Sequence, residues 1–254
     1  MTQVEPRQPA GVPGGAHPGD LQHDMVRAEP GVFVVIAAYN EESVIDETIL
    51  ELTRRFEHVV VVDDGSRDRT AERARQSGAE VLRHPINLGQ GAALQTGITY
   101  ALRGGATHVA TFDADGQHDP QDLIHMLDVL GRTPGTDIVL GSRFLGTASG
   151  LPLHRKIVLK GARFFTNLTT GVRLTDAHNG LRLMTAEAAA KIRITQNGMA
   201  HASEFIARIR QHRLKYVEVP VHIRYTAYSL RKGQRLSSAL NIVTDLLASR
   251  LMKW

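Results

Sequence analysis

The chain has 254 residues, of which 42% are hydrophobic and 22% charged, a composition typical of an ordinary soluble domain. It contains no cysteine, which excludes disulfides and zinc–thiolate centres. No run approaches the roughly 20 apolar residues of a membrane-spanning helix, and the N-terminal segment lacks the apolar stretch of a secretory signal. Because residues 1–30 are rich in Pro, Gly and polar side chains, we expect a disordered tail there.

The net charge of +4 is unevenly distributed along the chain. Residues 1–142 carry 11 Lys and Arg against 21 Asp and Glu, whereas residues 143–254 carry 19 against 5. The acidic half suits a metal ion, and the basic half suits phosphates, an anionic membrane surface or nucleic acid. No nucleic-acid partner is expected, because the arginines do not alternate with aromatic side chains on which bases could stack.

The first half alternates short apolar runs with amphipathic segments. The predicted strands are 32–38, 59–62, 80–82, 107–112 and 137–140, and the predicted helices between them are 42–56, 68–76, 90–102 and 121–130. This alternation predicts an α/β fold with a doubly wound, mostly parallel sheet and helices on both faces.

The second half is less regular. Its predicted helices are 155–169, 186–192, 201–212 and 237–251, and its predicted extended segments are 180–184, 215–219 and 222–225. We therefore predict a single domain at 31–232 and a C-terminal amphipathic helix at 233–254. The apolar stripe of that helix would lie on a membrane, on the domain or on a partner protein.

An acidic motif follows the predicted strand 107–112. Asp113 and Asp115 are separated by one residue, and Gln117 and His118 come shortly after them. Oxygen ligands of this kind favour Mg²⁺ or Mn²⁺, ions that in enzymes also hold substrate phosphates. The alternative is a polar turn in which Asp119 caps the next helix. A zinc site is not expected, because no His-x-x-x-His pair accompanies the motif.

Polar and glycine residues also follow the other predicted strands, where doubly wound sheets bind ligands. Asp63 and Asp64 could accept hydrogen bonds from a nucleobase or ribose, although Ser66 or Asp68 could equally cap the following helix. The segment 87–91 lacks the third glycine of a dinucleotide fingerprint, and no P-loop is present. Its glycines would instead let the backbone approach a nucleotide closely.

Taken in order, these motifs resemble the family-2 glycosyltransferases of the GT-A fold. The resemblance is strongest to the dolichyl-phosphate mannose synthase-like branch, whose bacterial members charge undecaprenyl phosphate, and it covers roughly residues 31–232. The motifs that carry it are Val35-Ile-Ala-Ala-Tyr39-Asn40-Glu41-Glu42, Val62-Asp63-Asp64-Gly65-Ser66, Asn87-Leu88-Gly89-Gln90-Gly91, Asp113-Ala-Asp115-Gly-Gln117-His118 and Gly141-Ser142-Arg143.

The resemblance implies roles for residues at the matching positions. The implied nucleotide-binding residues are Ala37, Tyr39, Glu41, Asp63, Asp64, Asn87, Gly91, Asp113 and Ala114. The implied ligands of Mg²⁺ or Mn²⁺ are Asp113, Asp115 and Gln117, and the implied acceptor-phosphate residues are Arg143, Arg155 and Arg182. Asp115, Arg143 and Asp176 would carry catalysis.

Two further segments resemble the family with departures. Residues 175–182 resemble its Asp-x-x-Ser-Gly-Phe-Arg segment, but Asn179 replaces the serine and Leu181 the phenylalanine, which leaves sugar and acceptor preference open. Residues 218–220 resemble a Glu-Val-Pro segment, and residues 225–232 a basic loop near the acceptor.

The implied activity is metal-dependent, inverting transfer of a sugar from a UDP- or GDP-linked donor to polyprenyl phosphate. The scarcity of carboxylates and abundance of arginine in residues 143–254 favour a phosphate acceptor. A hydroxyl acceptor is the alternative, with Asp176 and then His178 as candidate bases. A non-catalytic nucleotide-sugar-binding module is a second alternative. A nucleotidyltransferase is disfavoured, because no Gly-rich basic run follows the first predicted strand.

This activity implies a place and partners as well. We expect a cytoplasmic protein, peripheral at the inner face of the cell membrane, which touches the lipid directly or through a small membrane-protein partner. A homodimer is left open.

Overall fold

The computed structural model describes residues 31–149, 172, 174–225 and 228. The predicted tail, the predicted helices 155–169 and 237–251, Arg155 and most of the basic loop 225–232 lie outside the described residues. Within the described ranges, no helix combines the length and the apolar character needed to cross a bilayer.

A seven-stranded sheet forms the centre of the domain. Its strands are β1 (Val32–Ala38), β2 (His58–Asp63), β3 (Glu80–Arg83), β4 (His108–Asp113), β5 (Ile138–Ser149), β6 (Arg182–Thr185) and β7 (Tyr216–Arg224), in the spatial order β3-β2-β1-β4-β6-β5-β7. Only β6 runs antiparallel to its neighbours, β4 and β5. The predicted α/β fold with a mostly parallel sheet is therefore confirmed.

Helices cover both faces of this sheet. They are α1 (Ile45–Thr53), α2 (Thr70–Gln76), α3 (Gln90–Arg103), α4 (Pro120–Arg132), α5 (Ala186–Lys191) and α6 (His201–Gln211). Alternate residues of β1 point to opposite faces, as expected for a strand. Val34 and Ile36 join the core beneath α1 and α4, while Phe33 and Val35 join the core beneath α3, α5 and α6.

The ends of several helices follow from side-chain capping. The Asp119 carboxylate accepts the Gln121 N–H at 2.9 Å before α4, and the Thr185 hydroxyl accepts the Ala188 N–H at 3.2 Å before α5. Helix α1 is shorter than the predicted 42–56. The N–H groups of Glu41 and Glu42 donate to side chains of the 68–70 loop, which draws these residues into a turn before the helix.

Strand β5 is longer than predicted. The sequence indicated an end at residue 140, but β5 continues to Ser149 beside β7, with a break in register between Ser142 and Thr147. Arg143 therefore lies inside an irregular strand and not in a loop beyond it. The two extended segments predicted around Pro220 form one strand, β7, which tolerates the proline because it lies at the sheet edge.

Candidate active site

A cavity of about 630 Å³ opens at the carboxyl ends of β1 and β4. Most of the residues implied by the family resemblance line it, namely Ala37, Tyr39, Glu41, Asp64, Asn87, Asp113, Ala114, Asp115, Gln117 and Arg143. The parallel strands bring these distant segments together, because their carboxyl ends share one edge of the sheet. Their individual roles remain predictions. The wall also includes His178, the second candidate base, and Gly89 and Gln90 of the 87–91 motif. Met199 and Ile223 line it as well, and the sequence did not single them out as site residues.

Asp64 organises one side of the cavity. Its Oδ1 accepts the Leu88 N–H at 2.9 Å and lies 2.7 Å from Nδ1 of His84, and its Oδ2 accepts the Gly89 N–H at 2.7 Å. Nε2 of His84 lies 3.0 Å from the Thr96 hydroxyl on α3. Asp64 thus fixes the loop that carries Asn87, and His84 fixes Asp64 against a helix.

Asp63 does not line the cavity, which corrects the expectation that it borders the base and ribose. Its side chain is fully buried at the end of β2, where Oδ1 accepts the Ser66 N–H at 3.1 Å. Its Oδ2 lies 3.0 Å from Nε of Arg83 without hydrogen-bond geometry. Of the two adjacent aspartates, Asp64 faces the cavity and Asp63 supports the turn behind it.

Gly91 also lies behind the cavity wall. A Cβ atom placed on Gly91 would come within 2.0 Å of the Gln196 carbonyl oxygen, and one on Gly89 within 2.3 Å of the Asn197 carbonyl oxygen. The Gly91 N–H donates to that Asn197 oxygen at 2.8 Å. The expected close approach therefore occurs, but the backbone that approaches is the protein's own 196–197 segment.

The predicted metal ligands lie at the end of β4. Nε2 of His118 lies 2.9 Å from Oδ2 of Asp113, while Asp115 accepts the Gln117 backbone N–H at 3.2 Å and its side-chain NH₂ at 2.5 Å. The other ring nitrogen of His118, Nδ1, is buried and has no hydrogen-bond partner in the part of the chain that the structure describes. Gly180 leaves the space that the Asp113 carboxylate fills.

The two carboxylates have opposite pKa shifts. Burial and the nearby charge of Asp113 raise the pKa of Asp115 to about 6. Burial also acts to raise the pKa of Asp113, but the hydrogen bond and charge of His118, with the charges of Arg182 and Arg143, outweigh it and lower that pKa. The negative charge of Asp113 therefore disfavours ionisation of the neighbouring Asp115 carboxyl group.

This donor set fits Mg²⁺ or Mn²⁺ better than an ion such as structural Zn²⁺, which takes all four of its ligands from the protein. Among the described residues, no three His, Asp or Glu side chains gather closely enough to hold a metal alone. Mg²⁺ commonly takes one or two carboxylates and completes its shell with water and substrate phosphates. Gln117 turns its amide nitrogen toward Asp115, so its oxygen would have to rotate to join the set.

Arg143 also lines the cavity. Its Nε and its backbone N–H donate to Oδ2 of Asp176 at 2.6 and 3.1 Å, and its Nη1 donates to the Tyr225 hydroxyl at 2.9 Å. Burial acts to lower the pKa of Arg143, but Asp176 and Tyr225 outweigh it and raise the pKa above its ordinary value. Arg143 is therefore a fixed cation on the cavity wall.

Asp176 and Arg182 do not reach the cavity, and both expectations are corrected. Asp176 is 4% exposed, and one of its oxygens is taken by Arg143, so it is poorly placed to act as a base. Arg182 is 3% exposed, packs 4.2 Å from the centre of the Phe205 ring, and donates to the Asn179 carbonyl oxygen at 3.1 Å. Burial lowers the pKa of Arg182 to about 10. Its charge acts on Asp113 from within the core.

The chain is similar over most of its length to proteins from archaea and bacteria. It is 38% identical to an uncharacterized protein of Methanocaldococcus jannaschii, and the alignment covers 87% of this chain and 92% of that protein. It is 29% identical to the UDP-N-acetylglucosamine–dolichyl-phosphate N-acetylglucosaminyltransferase of Methanococcus voltae, with 89% of this chain and 98% of that one aligned. The polyprenol monophosphomannose synthase of Mycolicibacterium smegmatis is also 29% identical, with 87% and 88% aligned.

A solved structure and a family pattern complete these comparisons. Glucosyl-3-phosphoglycerate synthase of Mycobacterium tuberculosis, crystallised with Mn²⁺, UDP and phosphoglyceric acid, superposes with a TM-score of 0.65 over 85% of this chain and 77% of that one, at 18% identity. This likeness confirms the GT-A fold. Residues 33–193 match the sequence pattern of glycosyl transferase family 2. The chain therefore belongs to glycosyl transferase family 2 and is a nucleotide-sugar-dependent glycosyltransferase.

Proposed function

We propose that the protein moves a sugar from a UDP- or GDP-linked donor to the phosphate oxygen of a polyprenyl phosphate, with inversion and with Mg²⁺ or Mn²⁺. The observation that carries the proposal is one cavity lined by two chemically different kinds of group. The acidic pair Asp113 and Asp115 and the fixed cation Arg143 all line it. A donor diphosphate and an acceptor phosphate need these two kinds of group.

The donor side has the size and polarity for a nucleotide. A cavity of about 630 Å³ falls within the range of small-molecule sites. The Asp64-bound loop offers Asn87 and the Gly89 backbone beside Tyr39 and Glu41. A divalent ion held by Asp113 and Asp115 supplies neutralisation of the charge on the leaving diphosphate.

The acceptor side favours a phosphate over a hydroxyl. A hydroxyl needs a general base, whereas a phosphate monoester is already anionic near neutral pH. Asp176, the carboxylate beside Arg143, is buried in its ion pair. Arg143 can instead orient an acceptor phosphate and balance its charge. For a hydroxyl acceptor, His178 on the cavity wall would be the remaining candidate base.

The relatives agree with this acceptor class. Two of those compared above are named for transfer to dolichyl phosphate and for polyprenol monophosphomannose synthesis. We further propose work at the cytoplasmic face of the membrane, in peripheral contact with lipid or with a small membrane-protein partner. A homodimer stays open.

The test combines donor and acceptor panels. The protein is incubated with Mn²⁺ or Mg²⁺, UDP- and GDP-sugars, and either undecaprenyl phosphate or undecaprenol, and lipid-linked sugar and nucleoside diphosphate are measured. We expect product with the lipid phosphate only, no product with EDTA, and none with Asp115→Asn although that variant folds. Product on undecaprenol, or turnover that survives EDTA, would contradict the proposal. The anomeric configuration of the product, read by NMR, tests inversion.

A further inference from the structure

Glu218 on β7 makes an unusual set of hydrogen bonds for a strand carboxylate. The Thr175 N–H lies 3.0 and 2.9 Å from its two oxygens, and Oε1 also accepts the Thr175 hydroxyl at 2.8 Å and the Asp176 N–H at 3.1 Å. No Lys or Arg of the described residues forms an ion pair with it. The carboxylate therefore holds the backbone of two consecutive residues and does not balance a cation.

Those two residues in turn hold β5. The Thr175 hydroxyl lies 2.7 Å from the Ser142 hydroxyl, and Asp176 accepts both the backbone N–H and Nε of Arg143. Thr175 thus contacts Ser142, and Asp176 contacts the next residue, Arg143.

These contacts lie at the point where the pairing of β5 with β7 is interrupted. The regular pairing of β5 with β7 ends at Ser142 and resumes at Thr147. The ladder with β7 therefore does not fix the backbone at Arg143, and its direction depends on side-chain contacts. With Nε bound to Asp176 and Nη1 to Tyr225, Nη2 has no partner among the described residues and remains for a ligand oxygen.

We propose that Glu218 is a positioning residue that aims Arg143 into the cavity through Thr175 and Asp176. The part of this proposal that concerns the acceptor phosphate rests on the proposed function, whereas the geometric part does not. Removal of Glu218 would free the 175–176 segment and weaken the Asp176–Arg143 ion pair. The Arg143 guanidinium would then no longer be held in its orientation toward the cavity.

The direct test follows the Arg143 side chain by NMR. Glu218→Gln keeps the shape, but only one of its two terminal atoms can accept a hydrogen bond. We expect hydrogen exchange at Arg143 Nε to speed up about tenfold, as for the loss of one ordinary hydrogen bond. The matched control is Glu187→Gln, because Glu187 is an exposed residue on α5 whose side chain forms no ion pair or hydrogen bond within the described part of the chain. An exchange rate in Glu218→Gln equal to that of the control would overturn the proposal.

A second variant guards against loss of folding. Thr175→Ala removes the hydroxyl that joins Glu218 to Ser142 while leaving the carboxylate in place. We expect faster exchange at Arg143 Nε here too, by a smaller factor than in Glu218→Gln. Unchanged exchange in a folded Thr175→Ala would count against the chain of contacts.

The kinetic test separates positioning from general damage. Glu218→Gln should raise KM for undecaprenyl phosphate about tenfold while leaving KM for the donor unchanged. In an Arg143→Ala background, the same substitution should have no further effect, because its route to the acceptor is gone. Additive losses would refute action through Arg143. If the wild type does not glycosylate lipid phosphate, the proposed function fails, and the exchange measurement still decides the role of Glu218.

Discussion

Gly180 determines where the Asp113 carboxylate can lie. A Cβ atom at residue 180 would come within 2.2 and 2.3 Å of the two Asp113 oxygens, against an ordinary contact of at least 3.4 Å. Gly180→Ala must therefore push the carboxylate aside by more than about 1 Å, because only a side chain and no backbone stands in the way. That shift breaks the 2.9 Å contact with His118. Disturbing the support of a metal ligand typically costs 10- to 100-fold in metal affinity, about 1.4 to 2.8 kcal/mol.

The assay is a Mn²⁺ titration followed by electron paramagnetic resonance, with UDP or GDP present. Gly198→Ala is the matched control, since a Cβ there meets no atom within 4 Å. We expect the Mn²⁺ dissociation constant to rise 10- to 100-fold in Gly180→Ala and to stay unchanged in Gly198→Ala. Both variants should keep the circular dichroism spectrum of the wild type. Equal affinity in the two variants would show that Asp113 does not hold the ion in this position.

Three further predictions concern folding and donor binding. Burial lowers the pKa of His201 to about 4, so the unfolded chain binds more protons than the folded one between about pH 6.5 and 4. In urea titrations, the free energy of unfolding of the wild type, taken relative to that of His201→Gln at each pH, should fall by about 2 kcal/mol between pH 7 and pH 5; a difference between the two proteins that does not change with pH would contradict the prediction. His84→Ala should weaken UDP or GDP binding about tenfold by calorimetry, because Asp64 loses its support, while exposed His125→Ala should not. Asp119→Ala should destabilise the fold by about 1 kcal/mol through loss of the α4 cap, more than Asp128→Ala, whose surface ion pair is worth under about 0.5 kcal/mol.

The strands that position the donor side could be predicted because they are short apolar runs. Strands β1, β2 and β4 are buried on both faces, so local composition alone marks them. The carboxyl-end rule then places Asp64, Asp113 and Asp115 at one edge. This much of the cavity needs no knowledge of distant contacts.

The remaining parts depend on contacts between distant segments. The extension of β5 beyond Leu140 follows from pairing with β7, which lies far along the chain, and its Gly-Ser-Arg sequence resembles a turn. Asp63 and Asp64 are adjacent residues of the same type, so the sequence alone does not distinguish their roles. Which of the two faces the cavity depends on the residue at which β2 ends. Met199 joins the wall through the approach of the 196–198 segment to Gly89, for which no local pattern exists.

The backbone packing of Gly89 and Gly91 against residues 196–197 brings the loop bearing Asn87 into direct contact with the loop bearing Met199. The carbonyl oxygens of Gln196 and Asn197 stand where side chains at positions 91 and 89 would lie, so a larger residue at either glycine must displace the 196–197 backbone. Lengthening the 195–198 segment by one residue would force both loops to rearrange, and engineered donor variants should leave its length alone.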